Sequence, residues 1–164
     1  MNVAELKASS LAFRFPGAAS SKGGKPHKAK PEEVLHRACF QLVELLQPQY
    51  PILEYLFHSP NGGGRSKAEA GALKAMGVRS GVPDLQLPFP SHYFKGLGIE
   101  LKAGKNTLTN DQRDWLQVAS KNGWLVGVAR TLEEFDELLK AFLSNKQCRD
   151  NKSMPGWNEI FNSK

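Results

Sequence analysis

Two stretches decide the fold: Gly81-Val82-Pro83-Asp84-Leu85 and, after a gap, Gly98-Ile99-Glu100-Leu101-Lys102-Ala103. Ile99 to Lys102 alternate apolar and charged residues, the pattern of a strand with one buried face. Side chains two apart share a face, so Glu100 and Lys102 project together while Ile99 and Leu101 enter the core. Val82 to Leu87 reads as the preceding strand, with Asp84 and Gln86 on one face and Leu85 and Leu87 on the other. Pairing the two strands brings Asp84, Glu100 and Lys102 into one small volume. Two carboxylates and an ammonium crowded there are costly without a partner. A divalent cation that favours hard oxygen ligands, Mg²⁺ or Mn²⁺, suits them.

The flanking words narrow the reading. Asp84 followed by Glu100-Leu101-Lys102, with Pro83 directly before Asp84, resembles the PD-(D/E)xK nuclease pattern. Asn61-Gly62-Gly63-Gly64-Arg65, Gly77-Val78-Arg79-Ser80-Gly81-Val82-Pro83-Asp84-Leu85, Gly98-Ile99-Glu100-Leu101-Lys102 and Gln112-Arg113-Asp114-Trp115 stand in the order and spacing of VRR-NUC domains. These are the virus-type replication-repair nucleases, found as small phage and bacterial proteins and at the end of the Fanconi-associated nuclease. The resemblance runs from roughly Glu32 to Arg130. A bare Asp…Glu-x-Lys is weak, since charged strand faces are common; the combined set of words is specific. It implies an α/β fold with a PD-(D/E)xK restriction-endonuclease-like core, a mixed β-sheet flanked by α-helices.

The chain has 164 residues and a formal charge of +6, with a pI near 9.4. That length holds one domain with tails and buries a core without disulfide staples. The charge favours an anionic partner, nucleic acid before membrane. Cys39 and Cys148 fit no zinc spacing, so a reduced cytoplasmic protein is expected, in the bacterial host cell if phage-encoded. No apolar run is long enough to cross a bilayer, and the N-terminus lacks a continuous apolar signal segment.

Three segments are expected: a basic flexible tail over 1–31, the nuclease domain over 32–143 and a C-terminal tail over 144–164. In the first, Lys22, Lys25, Lys28 and Lys30 follow one another without an acid. They form either an arm for phosphate contacts or a solvated leader. Pro31 opens a helix to about Gln47. Helical phase puts Glu32 with His36, Cys39, Phe40 and Val43 on the stripe facing the sheet, and Glu33 toward solvent. In the resembled family a glutamate here completes the active site, often with Gln one turn later, where this chain has His36. Glu32 otherwise only favours the helix N-terminus. Ile52 to His58 reads as a strand.

The Asn61–Arg65 glycine loop lets backbone approach a phosphate, or is simply a turn. Ser66-x-x-Glu69 then caps a helix ending near Met76. No nucleotide P-loop is present, because Gly-Lys-Ser/Thr is missing. His58 and His92 lack second ligands at zinc spacing. Thr109-x-x-Gln112 opens a helix stopped by Gly123, and Leu108, Gln112, Trp115, Leu116 and Ala119 share one face. Gln112 therefore caps the helix, faces the catalytic sheet, or does both. Trp124 to Ala129 suits an interior strand covered on both faces. Thr131-x-x-Glu134 caps a last helix with Phe135, Leu138, Leu139 and Phe142 as its core stripe.

The expected reaction is metal-dependent hydrolysis of a DNA phosphodiester. Asp84 and Glu100 hold Mg²⁺ or Mn²⁺, with the Leu101 carbonyl a further ligand and Glu32 binding directly or through water. Lys102 orients the attacking water or offsets charge in the transition state. Asn61, Gly63, Arg65, Lys67 and Lys105 are the expected DNA contacts. Stand-alone members resemble junction resolvases, which implies a homodimer cutting branched DNA such as four-way (Holliday) junctions, in DNA repair. Tyr50, Tyr55, Trp157 and Phe161 are its candidate interface groups, and the C-terminal Pro155, Trp157 and Phe161 dock either on the domain itself or on a second subunit. One rival is a catalytically inactive nucleic-acid-binding module of the same fold, against which the intact Asp84, Glu100 and Lys102 argue. Another is a structural or small-molecule protein with a chance motif, against which the glycine-arginine loop and basic charge argue.

Overall fold

The computed structural model describes residues 30–60, 66–144 and 154–162. Helix α1 (Pro31–Leu46) starts with proline and carries Glu32 and Glu33 in its first turn. A fixed φ and negative charge both suit a helix N-terminus. It buries Cys39, Leu42 and Val43. The next stretch is not the single strand expected over Ile52 to His58. It is a 3₁₀ turn (Pro51–Tyr55) followed by a two-residue strand, β1 (Phe57–His58). Pro51 holds its φ in the helical range and lacks the N–H a ladder needs. Spacing by three places Leu53 and Leu56 together in the core.

Helix α2 (Lys67–Ala75) is capped by Ser66, whose hydroxyl accepts from the Glu69 N–H at 3.2 Å. It lies on the surface. Strands β2 (Leu85–Leu87) and β3 (Leu97–Leu101) pair antiparallel, with Leu85 opposite Ile99. Helix α3 (Asn110–Lys121) crosses over to β4 (Leu125–Ala129), which runs parallel to β3, as a parallel pair requires. Helix α4 (Leu132–Leu143) follows, and both α3 and α4 begin with a complete capping box. The mixed sheet has the order β1-β2-β3-β4. One face, including Leu97, Ile99, Leu101 and Leu125, packs with α1 and α4. Val126 and Val128 on the other face pack with Leu108, Leu116 and Ala119.

One expectation is corrected at β4. Both its faces are buried, but it is an edge strand and not an interior one. Its apolar run records covered faces and carries no information about a strand neighbour. The C-terminal segment docks on the domain, one of the two places open to its apolar residues. Helix α5 (Trp157–Phe161) packs on α3 and β4 with Ile160 fully buried. The Pro155 carbonyl accepts the Val128 N–H at 3.1 Å, giving the β4 edge a partner. Gly156 makes this approach possible: its φ is +78°, and a Cβ there would lie 2.5 Å from Val128. Among the described residues no helix is long and apolar enough to cross a membrane.

Candidate active site

Asp84 lies in the bend before β2, not in a strand from Val82 as expected; β3 carries Glu100, and Lys102 follows its last residue. Asp84 is anchored at both ends. Its carbonyl accepts the Ser59 N–H at 2.8 Å and lies 3.0 Å from His58 Nδ1. A carbonyl can only accept, so that ring nitrogen carries the proton. Its carboxylate Oδ2 accepts the Leu101 N–H at 3.0 Å, which ties the bend before β2 to the end of β3.

Glu100 is only 2% exposed, so the expected polar strand face is itself covered. Its Oε1 accepts from Gln112 Nε2 at 2.5 Å and lies 3.0 Å from Lys102 Nζ. Lys102 Nζ also donates to Gln112 Oε1 at 3.1 Å, closing a ring of three side chains. Both readings of Gln112 hold at once. The Thr109 hydroxyl accepts its backbone N–H, and its Oε1 accepts the Thr109 N–H at 2.9 Å. The capping box thereby aims the remaining amide at Glu100. Glu100 Oε2 is buried and, among the described residues, has no hydrogen-bond partner. Burial first, and then the negative charge of Asp84, push the Glu100 carboxyl up to about 7 against the pull of Lys102.

Glu32 and Glu33 line one groove with Lys30, His36, His58, Asp84 and Leu101. The expectation of Glu32 on a buried stripe and Glu33 in solvent is corrected. Glu32 is exposed, whereas Glu33 is half-buried and pairs with Arg37 at 2.5 Å. The phase itself was legible, since Cys39, seven residues beyond Glu32, is buried. In the first turn, however, that side of α1 meets the open groove. Among the described residues no three His, Cys, Asp or Glu side chains converge as a metal-binding cluster. His36 sits against Phe40 and edge-on to His58, with ring centroids 5.2 and 4.2 Å away. Burial holds its imidazole below the usual histidine range, aided by His58 and opposed by Asp84.

Of the expected DNA contacts, Asn61, Gly63 and Arg65 lie outside the described residues. Lys67 is placed as the first residue of α2, and Lys105 is exposed beyond β3. Sequence reasoning missed His58 as the anchor of Asp84, because it weighed that residue only as a zinc ligand. It also missed Lys74 and Arg79, which line a cleft of about 510 Å³ on the Gln112 side. A signal was present for Arg79, which belongs to the family word from Gly77 to Leu85.

A mixed four-stranded sheet with flanking helices, presenting Asp84, Glu100 and Lys102 together, is a nuclease-type fold. The VRR-NUC domain family matches over residues 32–132, and the chain belongs to that family. A solved structure described as a VRR_NUC domain protein is similar at 25% identity and a TM-score of 0.57. The likeness covers 71% of this chain and 90% of that one. No curated protein matches. Family membership implies a nuclease-type function.

Proposed function

We propose that this domain is a metal-dependent DNA endonuclease that hydrolyses phosphodiester bonds in branched DNA as a homodimer. The observation that carries the reading is the orphaned Glu100 Oε2, buried beside the negative charge of Asp84. Glu100, Asp84 and the Leu101 carbonyl offer only hard oxygen donors, which fits Mg²⁺ or Mn²⁺. Glu32, across the groove, would reach such an ion through water. When bound, a divalent cation supplies Lewis-acid polarisation of the phosphate and acidifies a coordinated water.

The remaining work falls to the chain. Gln112 and Lys102 both engage Glu100 Oε1, so the carboxylate keeps Oε2 for the ion. Lys102, held at 3.1 Å by Gln112 Oε1, is set to offset charge as water adds to phosphorus and the leaving oxygen departs. Lys74, Arg79 and Lys105 provide cationic surface for flanking phosphates. In the reducing cytoplasm Cys39 would stay an inert buried thiol, pushed up to about 12 by desolvation.

The two-fold partner is best accommodated at β1, an edge strand of the sheet among the described residues. Tyr55, Phe57 and Phe89 are exposed there, and the Tyr55 and Phe89 rings lie 5.1 Å apart. Of the expected interface groups only Tyr55 remains well exposed. Tyr50 packs against the core, and Trp157 and Phe161 stack on each other in the docked α5. The deciding experiment is cleavage of single-stranded, duplex, flap and four-way-junction DNA with Mg²⁺ or Mn²⁺ and with chelator. Metal-dependent cleavage strongest on the junction is expected. Tight binding without cleavage in either metal would leave a binding module instead.

A further inference from the structure

Residues 154–162 lie beyond the family match, which ends at 132, yet they reach the elements that carry the site. The contact runs through Glu159 in α5. Its Oε1 accepts the Leu108 N–H at 2.8 Å, one residue before the Thr109 cap. Its Oε2 accepts from Arg130 Nη2 at 2.6 Å, and Arg130 Nη1 donates to the Asn106 carbonyl at 2.8 Å. Its own carbonyl accepts from Arg113 Nε at 3.2 Å, one residue after Gln112. A second tie, Gln117 Nε2 to the Ile160 carbonyl at 2.7 Å, holds the same helix to α3. Ile160, fully buried among Leu108, Leu116, Val126 and Val128, seats it.

We propose that Glu159 is a positioning residue through which the C-terminal helix sets the geometry of Lys102, Gln112 and Glu100. The argument follows the chain. Lys102 leaves the sheet after its N–H bonds the Ala129 carbonyl at 3.0 Å, and the chain returns at Thr109. Between them the loop's own backbone supplies a turn bond from Asn106 to Ala103. Arg130 and Glu159 hold it at Asn106 and Leu108, and Glu159 also grips Arg113. Gln112 thus sits between two residues fixed by Glu159. Its side chain is the only group that touches both the Lys102 ammonium and the Glu100 carboxylate within the ring described above. A loosened Leu108 frees the Thr109 cap, then the Gln112 amide, and then the carboxylate oxygen it holds.

The proposal rests on the nuclease reading for its kinetic arm alone. In metal-free protein, NMR is expected to show faster exchange of the Leu108 amide in Glu159→Ala and displaced Gln112 side-chain amide resonances. With Mg²⁺ or Mn²⁺, kcat for DNA cleavage is expected to fall about tenfold with KM little changed, because misplaced groups act on the chemical step. Glu159→Gln keeps an acceptor for Leu108 and is expected to recover most of kcat. If Glu159→Ala unfolds, Glu159→Asp, one methylene shorter with its charge kept, carries the same expectations. Unchanged Gln112 resonances, or a kcat equal to wild type, overturns the proposal. Absence of cleavage by the wild type sinks the nuclease reading instead, and the resonances then decide the positioning role alone.

Discussion

Glu100 is a carboxylate held where its charge is unwelcome. Its pKa stands at about 7 in the fold against an ordinary 4.5. Between those values the folded protein binds more protons than the unfolded chain. Its contribution to stability is therefore greatest below about 4.5 and is lost as pH rises to about 7. Glu100→Gln removes that penalty. Melts of metal-free protein from about pH 5 to about pH 8 should show the variant gaining on wild type as pH rises; a constant difference would mean Glu100 titrates normally. Metal affinity runs the other way, weakening below neutral pH, because binding must displace the proton. Cleavage should fall to background in both Asp84→Asn and Glu100→Gln with the circular-dichroism spectrum unchanged. Gln112→Ala should lose roughly 10–100-fold, the usual effect of removing a partner that orients a metal ligand. Glu32→Gln should impair cleavage, whereas Glu33→Gln should only release Arg37; assays of the two variants side by side separate these roles.

At the scale of elements, the cap of α3 joins stability to chemistry. Thr109→Ala removes the N-cap acceptor and should cost about 1 kcal/mol in a urea melt. It should also slow cleavage by more than that loss of fold explains, because the same box aims Gln112. Thr109→Ser keeps the hydroxyl and should restore both. Gly81 tests the turn into the catalytic strand. Its φ is +81°, and a Cβ would lie 2.3 Å from the Asp111 carbonyl oxygen. Gly81→Ala should therefore separate this turn from the start of α3 and lower the melting temperature. The capping boxes were legible because a cap is local chemistry, settled within four residues. Ile52 to His58 was not, because an apolar aromatic run suits either a strand or a 3₁₀ turn; Pro51 and the core positions of Leu53 and Leu56 decided it.

For the whole molecule, the β1 edge of the described sheet and the basic charge set the expectations. Phe57, 45% exposed on that edge, is the residue whose replacement by Asp should split a dimer. Light scattering at micromolar protein should give twice the chain mass for wild type and one chain mass for Phe57→Asp. A wild-type monomer would remove the two-fold arrangement and leave the site chemistry intact. Junction binding should weaken steeply with salt through release of phosphate counterions.

The sequence by itself marked out the paired strands beside Asp84, Glu100 and Lys102 and, among the described residues, the long helices. Strand alternation, helical period and caps are short-range properties written into neighbouring residues. It also carried the family words, whose order survives without any knowledge of contacts. Only the tertiary structure decided the ring of Glu100, Lys102 and Gln112, the orphaned Glu100 oxygen, the exposure of Glu32 and the docking of α5. Each depends on which distant surfaces exclude water. Glu100 is desolvated because Gln112 and Lys102 close over it. Glu159 meets Leu108 because Ile160 needs burial against β4 and α3, a demand that no local pattern around either residue records.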